Sequence, residues 1–359
     1  MKYQNIIIGS GPTGIIAAEE ILNSGKEVAI LDFGNKIEED NHKIKKDFHI
    51  NNDKPKFLKS IQKYKKVTKK YKNENLKFPF GSDYVFRENN FEKFKAEKNI
   101  DFLYSNAKGG LSNIWGTMYS PFYPKDIDSW DITYENFYKY GKEIEDLIPL
   151  LSGKDNLDNF FPINFGKSHN YPLSPNAKDF FEKLELEKEE KNNNGIFFGR
   201  AKMALGNKYS LGNTECKSCG LCHQGCPYDC MFSSIQLLEK IQSNKNLNYI
   251  DNIFVDKINK TEGLIEIHTV NNLTNQKKIF YSKNIFICCG PISTATLLLR
   301  SNMVKGNKVN LKESQRFFIP IFKKSNRDKS TDQNKNTLSE IFLEISNNSL
   351  CEKSIHLQY

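Results

Sequence analysis

The chain has 359 residues, with 52 Lys and Arg against 43 Asp and Glu for a net charge of +9, and a mean hydropathy of −0.60. At ~150 residues per domain, this length holds two to three domain equivalents or one large two-layer enzyme fold. Apolar residues at 38% and aromatics at 12% exclude a disordered chain, and no apolar run approaches the roughly 20 residues of a membrane span. The positive charge is spread over the whole length, densest over residues 36–98, with few aromatics in regular alternation. It reads as a solvated basic surface, and no nucleic-acid partner is expected. The apolar run Ile6-Ile7-Ile8 meets glycines and a proline at once. It is too short for an export signal, so a cytoplasmic location is expected.

Residues 2–8 read as a strand, followed by Gly9-Ser10-Gly11-Pro12-Thr13-Gly14, a helix over 15–23 and a second strand over 27–31 that closes on Asp32. This is a complete β-α-β unit. Residues 36–100 turn to Lys, Asn and Glu and read as a partly helical excursion. Residues 109–121 form a glycine-rich loop opening a short helix, 133–151 have helical spacing, and 152–171 resemble a linker. A strand is expected at 196–198 and a helix over 233–242. Short strands follow at 247–255, 258–260, 264–270 and 278–280, in the pattern of an antiparallel meander. Residues 285–288 read as a buried strand that passes through Gly290 into a helix at 293–301. Two alternating stretches, 340–345 and 354–359, end the chain, and there is no internal repeat.

In Gly9-x-Gly11-x-x-Gly14, the first glycine allows a tight turn, the second lets backbone approach a pyrophosphate, and the third lets helix and strand pack closely. The anion then meets the positive end of the helix. Asp32 lies 18 residues beyond Gly14, where a carboxylate accepts from ribose hydroxyls. These residues define a dinucleotide fold but do not separate FAD from NAD. A second glycine turn, Lys108-Gly109-Gly110-Leu111-Ser112-Asn113-Ile114-Trp115-Gly116, suits backbone contact with phosphate and a flavin edge. A third, from Ile285 through Cys288-Cys289-Gly290-Pro291 into Leu299, returns the chain to the nucleotide sheet.

Together and in this order, the three segments resemble the glucose-methanol-choline (GMC) family of FAD oxidoreductases, over residues 1–302. The resemblance implies an α/β fold, a three-layer Rossmann-like FAD-binding fold with an incomplete substrate-binding sheet domain. It implies that Gly9, Gly11, Pro12, Thr13, Gly14 and Asp32 hold the ADP part of FAD. Gly109, Gly110, Ser112 and Asn113 would lie near pyrophosphate and flavin, Gly290 would border the cofactor, and Val255 would present backbone to the adenine. The expected order is an FAD-binding unit at 1–35, the Lys-rich excursion at 36–107 and a flavin-contacting loop and helix at 108–151. A linker and the start of the substrate region follow at 152–212, a cysteine loop at 213–232, a return to the FAD domain at 233–302 and a partial substrate domain at 303–359. The activity implied is hydride transfer from a CH–OH group of a small alcohol or sugar to flavin. An NAD-dependent dehydrogenase and a non-catalytic or complementation-dependent flavin-binding fragment are the alternatives.

Five of the eight cysteines fall at Cys216, Cys219, Cys222, Cys226 and Cys230. The run Cys-x2-Cys-x2-Cys-x3-Cys-Pro has the spacing of a bacterial ferredoxin. A cluster of the 4Fe-4S or 3Fe-4S type would take Cys216, Cys219 and Cys222, with Cys226 or Cys230 as the fourth ligand. Zinc, or thiols that only pack or bridge, are the other readings. Some members of the resembled family carry a comparable loop, which would relay electrons from flavin to an acceptor protein.

Alcohol oxidation needs a base near the flavin. In the resembled family it is a histidine from a C-terminal segment that has no counterpart here. His42, His49, His169, His223 and His268 read as structural or solvated, and His356 as a strand histidine. The catalytic residue is therefore left unassigned. Family members run longer, so a truncated or split product is expected, with unpaired strand edges and a complementing C-terminal chain as a partner.

Overall fold

The computed structural model describes residues 1–62, 76–91, 102–161, 173–206, 215–306, 308–312, 317–321 and 338–359. Among these the strands are β1 (Lys2–Ile8), β2 (Val28–Leu31), β3 (Ile196–Arg200), β4 (Leu247–Ile250), β5 (Ile253–Lys260), β6 (Ile265–Asn271), β7 (Lys277–Ile287), β8 (Ile341–Ile345) and β9 (Ile355–Gln358). The α-helices are α1 (Pro12–Asn23), α2 (Glu39–Asn51), α3 (Lys54–Gln62), α4 (Tyr134–Leu147), α5 (Pro175–Leu186), α6 (Lys188–Asn193), α7 (Ser234–Ile241) and α8 (Pro291–Arg300). Two compact units result, Met1–Ile114 with Ser233–Phe318, and Trp115–Phe232 with Ile319–Tyr359.

The first unit is built on a six-stranded sheet of order β4-β2-β1-β7-β6-β5. Its centre is parallel, with Ile6, Ile7 and Ile8 opposite Ala29, Ile30 and Leu31 on one side and Ile285, Phe286 and Ile287 on the other. Continuous apolar runs suit a parallel strand covered on both faces, and Ile6 to Ile8 are buried, whereas the stretch expected to be buried at 285–288 is only partly covered, with Phe286 38% exposed. All four residues of β2 are buried. Strand β7 belongs to two pairings: its second half runs parallel to β1, and its first half runs antiparallel to β6. The stretches expected as separate strands at 278–280 and 285–288 are thus one strand of 11 residues. Conversely, residues 247–255 are two strands. Asn252 takes a left-handed φ of 58°, which breaks the run and sends β4 to pair parallel with β2 rather than into the meander of β5, β6 and β7. Within the Lys-rich excursion, α2 and α3 bring Phe48 and Phe57 together at 4.9 Å between ring centroids. Its residues 63–75 and 92–101 lie outside the described residues.

The second unit carries an antiparallel sheet of order β3-β8-β9. Its core joins Leu157, Phe160 and Phe161 to Met203, Leu205 and Phe342. The first part of the stretch expected as a linker is therefore core: three apolar side chains outweigh the Gly and Asn around them, and residues 162–171 lie outside the described residues. Helix α4 starts on Thr133, whose hydroxyl accepts from Asn136 N–H at 3.3 Å, and it stops four residues before the end expected for it. Lys202 is fully buried here, donating to Gly153 O at 2.6 Å and Asp155 Oδ1 at 3.2 Å. Among the described residues, no helix is long and apolar enough to cross a membrane.

Candidate cofactor site and cysteine loop

The site in the first unit begins where β1 turns into α1. Gly9 has φ of 98°, and a Cβ there would meet Cys288 O at 2.7 Å, so this turn packs against the end of β7 only because the side chain is hydrogen. A Cβ on Gly14 would stand 2.1 Å from Gly9 O. Gly11 differs from both: a Cβ on it meets nothing within 4 Å. Gly11 is also the N-cap of α1, with Pro12 at the first helical position, no side-chain cap and no acidic residue in the first turn. Pro12 and Thr13 are exposed. Open space over backbone donors at a helix's positive end fits a phosphate.

The second glycine turn lies on the first. Gly109 N–H donates to Ser10 Oγ at 2.9 Å, and a Cβ on Gly110 would be 3.5 Å from Gly11 Cα. Ser112 and Asn113 serve the loop itself: Ser112 Oγ donates to Gly109 O at 2.6 Å, and Asn113 Nδ2 donates to Lys108 O at 2.9 Å and Gly110 O at 2.8 Å. Two serines from the start of α7 complete the junction. Ser234 Oγ donates to Ser10 O at 2.9 Å, Ser234 N–H to Ser112 Oγ at 3.1 Å, and Ser233 Oγ to Asn113 Oδ1 at 3.2 Å. Sequence reading missed both, although Ser233 and Gln236 form a capping box, a pattern readable as Ser-x-x-Gln before an apolar run.

Asp32 closes the other side. It is buried and accepts from the hydroxyls of Ser10 and, at 2.7 Å, Tyr249. Burial pushes its carboxyl above the usual range, while those two hydroxyls pull the other way. Burial and the Asp32 charge push the Tyr249 phenol up in turn, so Tyr249 stays a donor. Tyr249 was not singled out in the sequence, because its role depends on β4 pairing with β2. The third turn also arrives here: Cys288 N–H donates to Ile8 O at 2.8 Å, and Gly290, with φ of 80°, caps α8 with open space where a Cβ would be. Val255 stands on β5 with its side chain in the sheet core and its carbonyl accepting from Arg300 Nη2 at 3.3 Å. Ile253 N–H, two residues earlier, donates to Asp32 O at 2.9 Å.

In the second unit the cysteines lie on a tightly wound loop with left-handed φ at Ser218, Gly220, Gly225 and Asp229. Cys226 Sγ and Cys230 Sγ are 3.2 Å apart, and the free Cys230 and Cys216 thiols share a hydrogen bond. The Cys230 bond holds Cys226 down to about 6 and Cys216 to about 7, and raises Cys230 itself. Burial pushes the Cys219 thiol up. The metal site expected from the spacing does not match this arrangement. Two thiolates on one tetrahedral metal with bonds of about 2.3 Å stand about 3.8 Å apart, and ligands to different irons of a cluster stand further. Among the described residues, no group of three or more His, Cys, Asp or Glu side chains is placed to hold a metal ion.

His356 lies on β9 of the same unit, its Nδ1 2.5 Å from Glu344 Oε1 and its Nε2 3.3 Å from Met118 Sδ. Burial raises the Glu344 carboxyl and His356 opposes the rise.

A parallel-centred sheet with three glycine turns meeting at the C-terminal ends of β1, β2 and β7 defines a Rossmann-like dinucleotide-binding protein. The chain belongs to the GMC oxidoreductase family, a family of FAD-dependent enzymes, whose model matches residues 3–312. Among solved structures, the chain is similar to pyridoxine 4-oxidase from Mesorbium loti, with 12% identity, a TM-score of 0.47, and coverage of 83% of this chain and 52% of that one. It is also similar to L-amino acid deaminase from Proteus vulgaris, with 9% identity, a TM-score of 0.28, and coverage of 83% and 49%. The chain thus spans about half the length of these structures. A comparison with curated proteins finds no match.

Proposed function

We propose that the chain binds FAD in its first unit and takes part in oxidising a CH–OH group of a small alcohol or sugar. The observation that carries this reading is the meeting of the three glycine turns: Gly109 N–H on Ser10, Gly110 over Gly11, and Cys288 against Gly9. Bound FAD would supply a hydride acceptor. The start of α1 at Gly11 would bind its pyrophosphate with backbone N–H groups, and Asp32, oriented by Ser10 and Tyr249, would take the ribose hydroxyls. The loop at Gly109 and Gly110, locked by Ser112, Asn113 and Ser234, would close over that cradle and keep water from it. Gly290 would leave room for the cofactor at the start of α8. No proton-accepting group is assigned.

The test is the absorption spectrum and cofactor content of the full chain purified without air, followed by addition of alcohols and sugars. FAD at one per chain, bleached by a member of the panel, supports the proposal. Bound nicotinamide without flavin would replace it with the NAD reading. FAD that no alcohol or sugar reduces unless a second chain is added would favour the complementation-dependent reading.

A further inference from the structure

The cysteine loop is not used by the flavin reading, and its geometry is that of a reactive dithiol. Gly206 ties its two ends together through backbone: Gly206 N–H donates to Cys230 O at 2.6 Å, and Cys216 N–H donates to Gly206 O at 3.3 Å. One residue therefore holds Cys216 beside Cys230. The turn from Cys226 to Cys230 is closed by Asp229 N–H on Cys226 O at 3.3 Å, with Asp229 at a φ of 53°. That turn brings the two sulfurs to 3.2 Å. Two thiols in such contact need only a small approach to reach the disulfide length of about 2.0 Å. Of the two, Cys226 is the partly exposed residue and Cys230 the buried one, so Cys226 is assigned the attacking role.

We propose that Cys226 and Cys230 are a thiol–disulfide exchange pair whose co-reactant is a low-molecular-weight disulfide. The Cys226 thiolate attacks one sulfur of the co-reactant, forming a mixed disulfide and releasing one thiolate. Cys230 then attacks the Cys226 sulfur, its proton passing to the neighbouring Cys216 sulfur, and the second thiolate leaves. Two protein thiols are oxidised to one disulfide, and the co-reactant is reduced to two thiols. The step needs nothing from the flavin unit, so it stands or falls separately from the proposed oxidation.

The experiment uses the full chain, purified without air and equilibrated with glutathione mixtures from fully reduced to fully oxidised. Free thiols are then blocked and the chain is cut with chymotrypsin. Cleavage after Tyr228 separates the two cysteines, so the bond appears in mass spectra as a linked peptide pair. The pair is expected to rise with oxidised glutathione and vanish with reductant, and to persist in Cys351→Ser, whose altered residue is exposed. In Cys230→Ser a glutathione adduct is expected to accumulate on Cys226, because the resolving thiol is gone. Both thiols remaining alkylated in the wild type at full oxidation would overturn the proposal, as would the absence of an adduct on Cys226 in Cys230→Ser. Stoichiometric iron or zinc that shields Cys226 and Cys230 from alkylation until it is chelated would also overturn it.

Discussion

Replacing Gly11 by Ala separates the cofactor cradle from the fold that carries it. A Cβ at Gly11 meets no protein atom within 4 Å, whereas one at Gly14 lies 2.1 Å from Gly9 O. At a helix N-cap, Gly→Ala costs at most about 1 kcal/mol of stability. The new methyl, however, stands in the space proposed for the pyrophosphate. Hydrogen bonds to a charged acceptor are worth about 1.5–3 kcal/mol each. Losing two of them weakens FAD binding by about 3–6 kcal/mol, or roughly 10²- to 10⁴-fold in Kd. Gly14→Ala is expected to show the opposite balance, losing about 1–3 kcal/mol or more of fold stability because the clash is with backbone. Fluorescence titration with FAD, alongside urea unfolding of the cofactor-free protein, reads both quantities. Wild-type FAD affinity in Gly11→Ala, or unfolding as severe as in Gly14→Ala, would refute the assignment of Gly11 to the cradle.

Asp32→Asn is expected to weaken FAD binding and to stabilise the cofactor-free protein. Burial raises the Asp32 carboxyl above its ordinary 3.8, so between that value and the raised one the folded state holds the extra proton. Wild-type stability contributed by this group is then lost as pH rises through that window. Urea midpoints of the two proteins should accordingly diverge from acid toward neutral pH and run parallel above it; parallel midpoints throughout would contradict the buried, proton-holding carboxyl. Lys202→Met leaves Asp155 buried without its 3.2 Å partner, and urea unfolding should show a loss of about 3–5 kcal/mol, much of it restored by adding Asp155→Asn. His356→Ala removes one of the partners of buried Glu344, which Ser120 also hydrogen-bonds, and is expected to cost about 1–3 kcal/mol, with recovery in the double variant carrying Glu344→Gln; equal losses in the single and double variants would show that the pair is not coupled.

The β1-α1-β2 unit was legible because its cues are local: a continuous apolar run, glycines at fixed offsets and an acidic residue at the second strand's end. The convergence of the later glycine turns was legible through their likeness to a known family, not through periodicity. What escaped depends on pairing between distant segments. The register of β4 against β2 carries Tyr249 to Asp32, and nothing near residue 249 signals it. The 11 residues of β7 read as two strands because Ser282, Lys283 and Asn284 interrupt the apolar pattern, yet Asn284 is accommodated by donating to Asn5 Oδ1 at 3.0 Å. Lys202 reads as a surface lysine, and it is Gly153 O and Asp155, 49 and 47 residues away in sequence, that accept from it in its buried place. The cysteine spacing pointed to a metal, but which sulfurs meet is set by Gly206 and the left-handed turn at Asp229, neither of which the spacing encodes.

Hydrogen–deuterium exchange of the full chain with and without saturating FAD follows all three glycine turns at once. If they enclose one cofactor, the amides at the start of α1 after Gly11, those of Gly109 to Asn113 and those around Gly290 all slow together on FAD addition. Protection confined to α1, with the Gly109 and Gly290 segments exchanging as before, would show that the three turns do not share a flavin.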